Sequence, residues 1–216
     1  MVFNLSEQNS IANRFIAEIR DVKIQRDPLR FRRNLERIGE VLAYEVSKTL
    51  QYETIEVETP LGIATASVPK QKIILGTILR AGLPIHQGLL NYFDRAGNAF
   101  VSAYRVHHKD GTFEINLEYV SCPDLTGCVL ILADAMLATG ASIDLAIREL
   151  KNFGNPATIH VVTAIASTHG ISQIRRFHPE ARIWAGAVDS ELTARSFIVP
   201  GLGDAGDLSY GPKIQE

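Results

Sequence analysis

Val129-Leu-Ile-Leu-Ala133 runs without a polar interruption into Asp134, and Ala135-Met-Leu-Ala-Thr-Gly-Ala-Ser142 follows before Ile143, Ile147 and Leu150 recur at helical spacing. Five apolar residues in a row are the pattern of a strand buried on both faces, as strands of a parallel sheet are. The stretch therefore reads as strand, loop and helix, with Asp134 at the carboxyl end of the strand and 138–142 wrapped around the amino end of the helix. Free backbone N–H groups there suit a phosphate. Gly140 permits close backbone approach, and the Thr139 and Ser142 hydroxyls can donate to phosphate oxygens. Asp134, acceptor-only when ionised, would take hydrogen bonds from two adjacent ribose hydroxyls. The alternative is an ordinary strand-to-helix turn capped by Ser142.

The rest of the chain repeats the pattern. Strands are expected at 73–79, 99–106, 159–166 and 183–188, with helices at 83–93 and 171–177 between them, which is the order of a doubly wound, mostly parallel α/β sheet. Ahead of them, 1–50 is expected to be helical: a short helix carries Ile11, Phe15, Ile16 and Ile19 on one side, and a longer one over 28–50 carries Leu35, Ile38, Leu42, Val46 and Thr49 on one face. With 216 residues, 46% hydrophobic and 21% charged, the chain can build one substantial core, so 1–216 is expected to be a single domain. Ligands of such sheets bind beyond the carboxyl ends of the strands, and Arg80, Arg105, Asp134 and Asp189 all fall there.

One insertion departs from the βα rhythm. Phe113, Ile115, Leu117 and Tyr119 alternate with Glu114, Asn116 and Glu118 behind Asp110-Gly111, a hairpin signal that makes 101–122 a two-stranded arm. An arm cannot bury its apolar face alone, so it covers the site, contacts another subunit, or folds back on its own domain.

Charge narrows the function classes. The net charge is −2 and the basic residues are dispersed, which argues against a nucleic-acid partner. The densest basic run, Arg30 to Arg33 with Arg26 and Arg37, is expected to form a solvated or subunit-facing helix surface. No signal peptide or membrane-length apolar run is present, and Cys122 and Cys128 fit no zinc spacing, so a reducing cytoplasm is the expected compartment. The histidines, His107-His108 included, have no partner ligands at useful spacing, and no protein metal site is expected.

Strand, acid, then Ala-Thr-Gly-small-Ser resembles the phosphoribosyl pyrophosphate (PRPP) motif of type I phosphoribosyltransferases. Ile78-Leu-Arg-Ala-Gly-Leu83 and Ile198-Val-Pro-Gly-Leu-Gly-Asp-Ala-Gly-Asp207 both resemble the uracil phosphoribosyltransferase family, the second being close to its uracil-binding signature, and weaker similarity runs through Arg30-Phe-Arg-Arg33 and Leu42-Ala-Tyr-Glu45. Two positions depart from the family: Ala135 stands where it usually has proline, and Ala141 where it has a second glycine. The resemblance implies PRPP binding by Arg80, Arg105, Asp134, Ala135, Met136, Leu137, Ala138, Thr139, Gly140, Ala141, Ser142 and Asp204. It implies uracil binding by Ile198, Gly203, Asp204 and Ala205, with Arg105, Asp134 and Asp204 catalytic. It further implies Mg²⁺ brought by PRPP, a homodimer or higher homo-oligomer, room for a GTP effector, and formation of UMP and diphosphate from uracil and PRPP in pyrimidine salvage. Transfer to another nucleobase, or a regulator that binds PRPP or a nucleotide without turnover, stay open at this point.

Gly201-Leu-Gly-Asp-Ala-Gly206 also matches the dinucleotide fingerprint Gly-x-Gly-x-x-Gly. It follows Pro200 and has no crossover helix or ribose-binding acid behind it, so the base-binding loop 198–207 is the better reading. Its bare backbone N–H and C=O groups can read the acceptor, donor, acceptor edge of uracil; cytosine reverses the first two and would leave buried groups unpaired, at roughly 1–3 kcal/mol each.

Overall fold

In the computed structural model the described residues are 1–107 and 113–212, the side chains of 103–107 and 113–117 being outside that description. Arg105 is thus described in its backbone alone, and His108 and the Asp110-Gly111 turn of the expected arm lie outside the described residues.

The chain opens with a short strand β1 (Val2–Asn4), then helices α1 (Ala12–Arg20) and α2 (Pro28–Ser47). Asp27 accepts from the amides of Leu29 and Arg30 at 3.0 and 3.1 Å, and Pro28 occupies the first helical position, where its missing N–H costs nothing, so the sequence itself fixes the start of α2. Two strands follow, β2 (Tyr52–Thr59) and β3 (Gly62–Pro69), and then the alternating part: β4 (Ile73–Leu79), α3 (Leu83–Tyr92), β5 (Gly97–His107), β6 (Phe113–Ser121), β7 (Val129–Leu137), α4 (Ala141–Leu150), β8 (Thr158–Ser167), α5 (Thr168–Phe177) and β9 (Arg182–Asp189). A small ladder of β10 (Glu191–Leu192) with β11 (Ile198–Val199) and a final helix α6 (Ala205–Tyr210) complete the described chain.

The central sheet has seven strands in the order β1-β9-β8-β7-β4-β5-β6, parallel throughout except for β6, which runs antiparallel to β5. Its two faces bury separate clusters, and β7 feeds both by alternation as far as Ala135, after which Met136 packs with the first cluster and Leu137 joins the second. Val129, Ile131, Ala133 and Ala135 join α1, α2 and α3 on one side; Leu130 and Leu132 join α4 and α5 on the other. This is the doubly wound arrangement expected from the sequence, and residues 129–133 are fully buried.

Several expectations need correction. β7 continues four residues past Ala133, because Asp134, Met136 and Leu137 still pair with Thr163, Ile165 and Ala166 of β8; Asp134 sits inside the strand rather than after it. The amino-terminal segment is not helical throughout, since β1 forms the sheet edge against β9, with Val2 opposite Ile183. Residues 52–69, ahead of the strands expected from 73 onward, form a further hairpin, β2–β3, whose register runs from Tyr52 opposite Pro69 to Thr59 opposite Gly62. The basic run is solvated at Arg30 and Arg33, yet its members also make contacts within the chain: Arg30 donates to the buried Glu18 of α1 at 2.9 Å, Arg32 donates to the Ser209 carbonyl at 2.6 Å, and the Arg37 guanidinium lies over the Phe15 ring. As for the arm at 101–122, β5 pairs with β4 up to Ser102 and only with β6 beyond it, with a register shift between Ser102 and Ala103.

Candidate active site

Parallel strands deliver their carboxyl ends to one edge of the sheet, and there the sequence motifs meet. Thr77 of β4 is opposite Ala133 of β7, so Arg80 and Asp134 leave the same edge on neighbouring strands. Gly82 closes the gap: a Cβ added to it would lie 2.7 Å from the Ala133 carbonyl oxygen and 2.5 Å from Thr77 Oγ1. Its smallness therefore serves the packing of its own loop against β7. The peptides Leu79–Arg80 and Val199–Pro200 are cis.

Beyond β7 the chain turns through Ala138, Thr139 and Gly140 into α4. Gly140 has φ of 86°, a left-handed conformation that a side chain resists, and it precedes the helix without any side-chain cap. Ser142 is thus inside the helix and not its cap. Ala141 is not among the residues with positive φ, so the alanine that replaces the family's second glycine carries no backbone strain. The first-turn amides of α4 remain available to an anion, apart from a long contact of the Ala141 N–H with Thr139 Oγ1 at 3.4 Å. Asp144 stands in this turn, where its charge would oppose a phosphate, but Arg148 holds its two oxygens at 2.9 and 2.8 Å and His178 Nε2 lies 2.8 Å from Oδ1. A cavity of about 340 Å³ opens against this loop, lined by Thr139, Gly140, Asp144, His169 and Gln173 among others. A lone histidine in a helix gave no signal for His169 in the sequence.

Not every implied binding residue can offer its side chain. Ala135 and Leu137 are fully buried, so only their backbone can meet a ligand, whereas Asp134, Met136, Ala138, Thr139, Ala141 and Ser142 are partly accessible. Ile198 and Ala205 likewise point into the core, while Gly203 and Asp204 are exposed. The 198–207 loop thus presents backbone at its ends and a carboxylate at its tip.

That loop is no glycine-rich tail. Gly201 and Gly203 both have positive φ, 55° and 96°, and a Cβ on Gly201 would stand 2.1 Å from the Ile198 carbonyl oxygen, which bars any side chain there. Asp204 then caps α6, accepting from the Asp207 amide at 3.0 Å. Arg80 reaches across to this segment, its Nη2 lying 3.4 Å from the Asp207 carboxylate and 3.2 Å from the Gly211 carbonyl oxygen. Both side chains are over a third exposed, so the pair holds the loop only weakly. Asp189 does not face the site as a free ligand; it is gripped by Arg20 of α1, a residue that nothing in the sequence singled out. The larger cavity, about 510 Å³ between α2, α3, β5 and α6, includes none of the residues implied to bind substrate.

A family model described as uracil phosphoribosyltransferase matches residues 6–212. The chain is 53% identical over 214 residues to a uracil phosphoribosyltransferase of Porphyromonas gingivalis, covering 99% of each chain. It is 35% identical over 212 residues to one of Thermococcus gammatolerans, covering 97% of this chain and 93% of that one. Among solved structures, the AQ2163 protein of Aquifex aeolicus superposes with a TM-score of 0.88 at 29% identity over the full length of both chains.

Proposed function

The chain belongs to the uracil phosphoribosyltransferase family, and on that premise we propose how its own residues join uracil to the phosphoribosyl group of PRPP, giving UMP and diphosphate. The observation that carries the reading is the meeting, at one sheet edge, of the Arg80 loop, the last residues of β7 from Asp134 to Leu137 and the 198–207 loop, with Arg80 Nη2 3.4 Å from the Asp207 carboxylate.

In the reaction a uracil nitrogen forms its bond to C1 of the ribose as the bond from C1 to diphosphate breaks, the electron pair leaving with diphosphate and the nitrogen giving up its proton. Positive charge grows on the sugar and negative charge on the leaving group, so positioning and charge stabilisation count for more than a strong base. Arg80 and Arg105 hold the diphosphate, guanidinium forks being suited to phosphate oxygens. Asp134 takes the ribose hydroxyls. The amides of 138–142 and the Thr139 and Ser142 hydroxyls take the 5-phosphate at the amino end of α4. The backbone of Ile198, Gly203 and Ala205 reads the base, and Asp204 meets PRPP from the loop tip.

Mg²⁺ belongs with the substrate. Asp134 and Asp204 are the hard oxygen donors that magnesium accepts, and we assign them to the water shell of an ion carried on the phosphates of PRPP. When bound, the ion draws charge from the departing diphosphate.

A cytoplasmic setting suits the two free thiols, of which Cys128 is buried and pushed up to about 11 by desolvation. Among the described residues no helix is long and apolar enough to cross a membrane. We assign the chain to a homodimer or higher homo-oligomer: every residue of β2 is exposed and in β3 Ala66 and Val68 alone are partly covered, and so little covered a two-stranded hairpin is marginal alone. Sedimentation of the full chain and of one lacking 52–69 tests this, and equal mass per particle at monomer size would overturn it.

The activity is tested by diphosphate release with PRPP, Mg²⁺ and, in parallel, uracil, cytosine, adenine, guanine, hypoxanthine or orotate. Turnover with uracil alone is expected. Turnover with another base would move the specificity, and silence with all of them alongside calorimetric PRPP binding would favour a sensor.

A further inference from the structure

We propose that Arg20 and Asp189 are positioning residues for the base-reading loop, setting uracil affinity from its buried side without touching the substrate. The inference rests on the uracil reading of residues 198–207. Asp189 ends β9 and is 8% exposed. Arg20, the last residue of α1, donates Nη1 and Nη2 to its two carboxylate oxygens at 2.7 and 2.8 Å. The same pair captures both sides of one residue in the loop. The Gly201 N–H donates to Asp189 Oδ2 at 2.9 Å, and the Gly201 carbonyl accepts from Arg20 Nη1 at 3.0 Å.

Gln25 adds a third hold. With its amide turned so that nitrogen meets carbonyl groups, it donates to Ile19 at 3.1 Å and to Leu202 at 2.8 Å. Gly201 and Leu202 are therefore tied to α1 and the turn after it, while the next two residues, Gly203 and Asp204, are exposed. Backbone groups that read a base must be held to within a few tenths of an ångström. A loop with two left-handed glycines does not supply that stiffness on its own. A bidentate pair whose carboxylate is buried, and which bonds both the N–H and the C=O of Gly201, does.

A purely structural pair would lower stability and leave the Michaelis constants alone; a positioning pair separates the two substrates. For Arg20→Met the KM for uracil is expected to rise at least tenfold, while the KM for PRPP stays within twofold and discrimination against cytosine weakens. Arg20→Lys keeps the charge but not the fork, and Asp189→Asn keeps an acceptor for Gly201; both are expected to fall between wild type and Arg20→Met. Leu125→Ala, a truncation in the core on the face of the sheet away from α1 and 198–207, should lower Tm and leave the KM for uracil unchanged. An unchanged KM for uracil in folded Arg20→Met or Arg20→Lys, or equal rises for both substrates, would overturn the proposal. Failure of both variants to fold would also overturn it, because a positioning contact must be separable from folding. Hydrogen exchange at the Gly201 and Leu202 amides, expected to quicken at least tenfold in these variants, reads the clamp without turnover. A wild type inactive with uracil would therefore count against the base assignment and not against the clamp.

Discussion

The loop proposed to take the phosphate, 134–142, and the loop proposed to take the base, 198–207, face the same sheet edge but are held by opposite means. From Asp134 to Ser142 the support comes from the chain's immediate course: a buried strand, one left-handed glycine, and a helix that begins on the spot, with Ser167 Oγ of the next strand donating to the Ala138 carbonyl at 2.5 Å. From Ile198 to Asp207 the fixings arrive from the far end of the sequence. Arg20 is 181 residues from Gly201, and Arg32 is 177 from Ser209. Connectivity holds the first loop, and ionic contacts hold the second. Perturbations of charge and of the α1–α2 unit should therefore reach uracil before they reach PRPP.

The sharpest way to break the comparison is Gly201→Ala. Its methyl group would collide with the Ile198 carbonyl in a left-handed backbone, so kcat/KM for uracil should fall at least about a hundredfold. PRPP binding measured by calorimetry should survive, and joint loss of both would show that the two loops are not separately held. Arg80→Ala acts on the other partner: losing a charge-assisted contact to diphosphate should raise the KM for PRPP by about ten- to a hundredfold, with a much smaller change for uracil. Equal changes in steady-state kinetics would count against that assignment. Asp204→Asn keeps a good helix cap, so α6 should persist and turnover should drop only about severalfold through weaker contact with PRPP. Unchanged turnover with an unchanged KM for PRPP would remove Asp204 from the residues proposed to meet PRPP.

Acid should loosen the base loop first. The Arg30, Asn34 and Arg14 side chains hold the Glu18 carboxyl down at about 2, against an ordinary value of 4.5. The stability it contributes is complete above pH 4.5 and lost as pH falls towards 2. Glu18 joins α1 to α2, and α1 carries Arg20, so hydrogen exchange at 198–204 is expected to rise in that window ahead of exchange at 138–142. Glu18→Gln should flatten the difference. The smallest effect is expected from Ala141→Gly. With no positive φ at that position, restoring the family's glycine should change the KM for PRPP by no more than about twofold, and a larger gain would mean that the alanine obstructs the phosphate.

What the sequence disclosed follows the same division. The strand, the acid and the phosphate loop were legible because all their determinants lie within a few turns of one another, and burial on both faces leaves an uninterrupted apolar run that periodicity detects. Even there, the extent of β7 was not legible, since the pairing of Met136 with Ile165 depends on β8. The glycines of 201–206 announced a special loop through resemblance, but Arg20, Gln25 and Arg32 looked like ordinary polar residues of amphipathic helices. Nothing local distinguishes an arginine that meets water from one that meets Asp189. The β2–β3 hairpin did leave a signal, because Ile55 and Val57 alternate with Glu56 and Glu58 ahead of Pro60-Leu61-Gly62. That alternation is short and weak beside the long apolar strands that follow.

The pairing of β1 with β9 bears on how the molecule is made. Val2 has no strand to lie against until Ile183 has been synthesised, and Arg20 has no carboxylate to grip until Asp189 has left the ribosome. Val2 and Arg20 emerge well before the residues that seat them. At ordinary synthesis rates of about 5–20 residues per second, β1 and the end of α1 wait on the order of ten to forty seconds for β9. During that interval α1 has α2 to pack against through Ile16 and Ile19, but Arg20 has no carboxylate to hold, so the 198–207 segment is among the last parts of the molecule to be fixed.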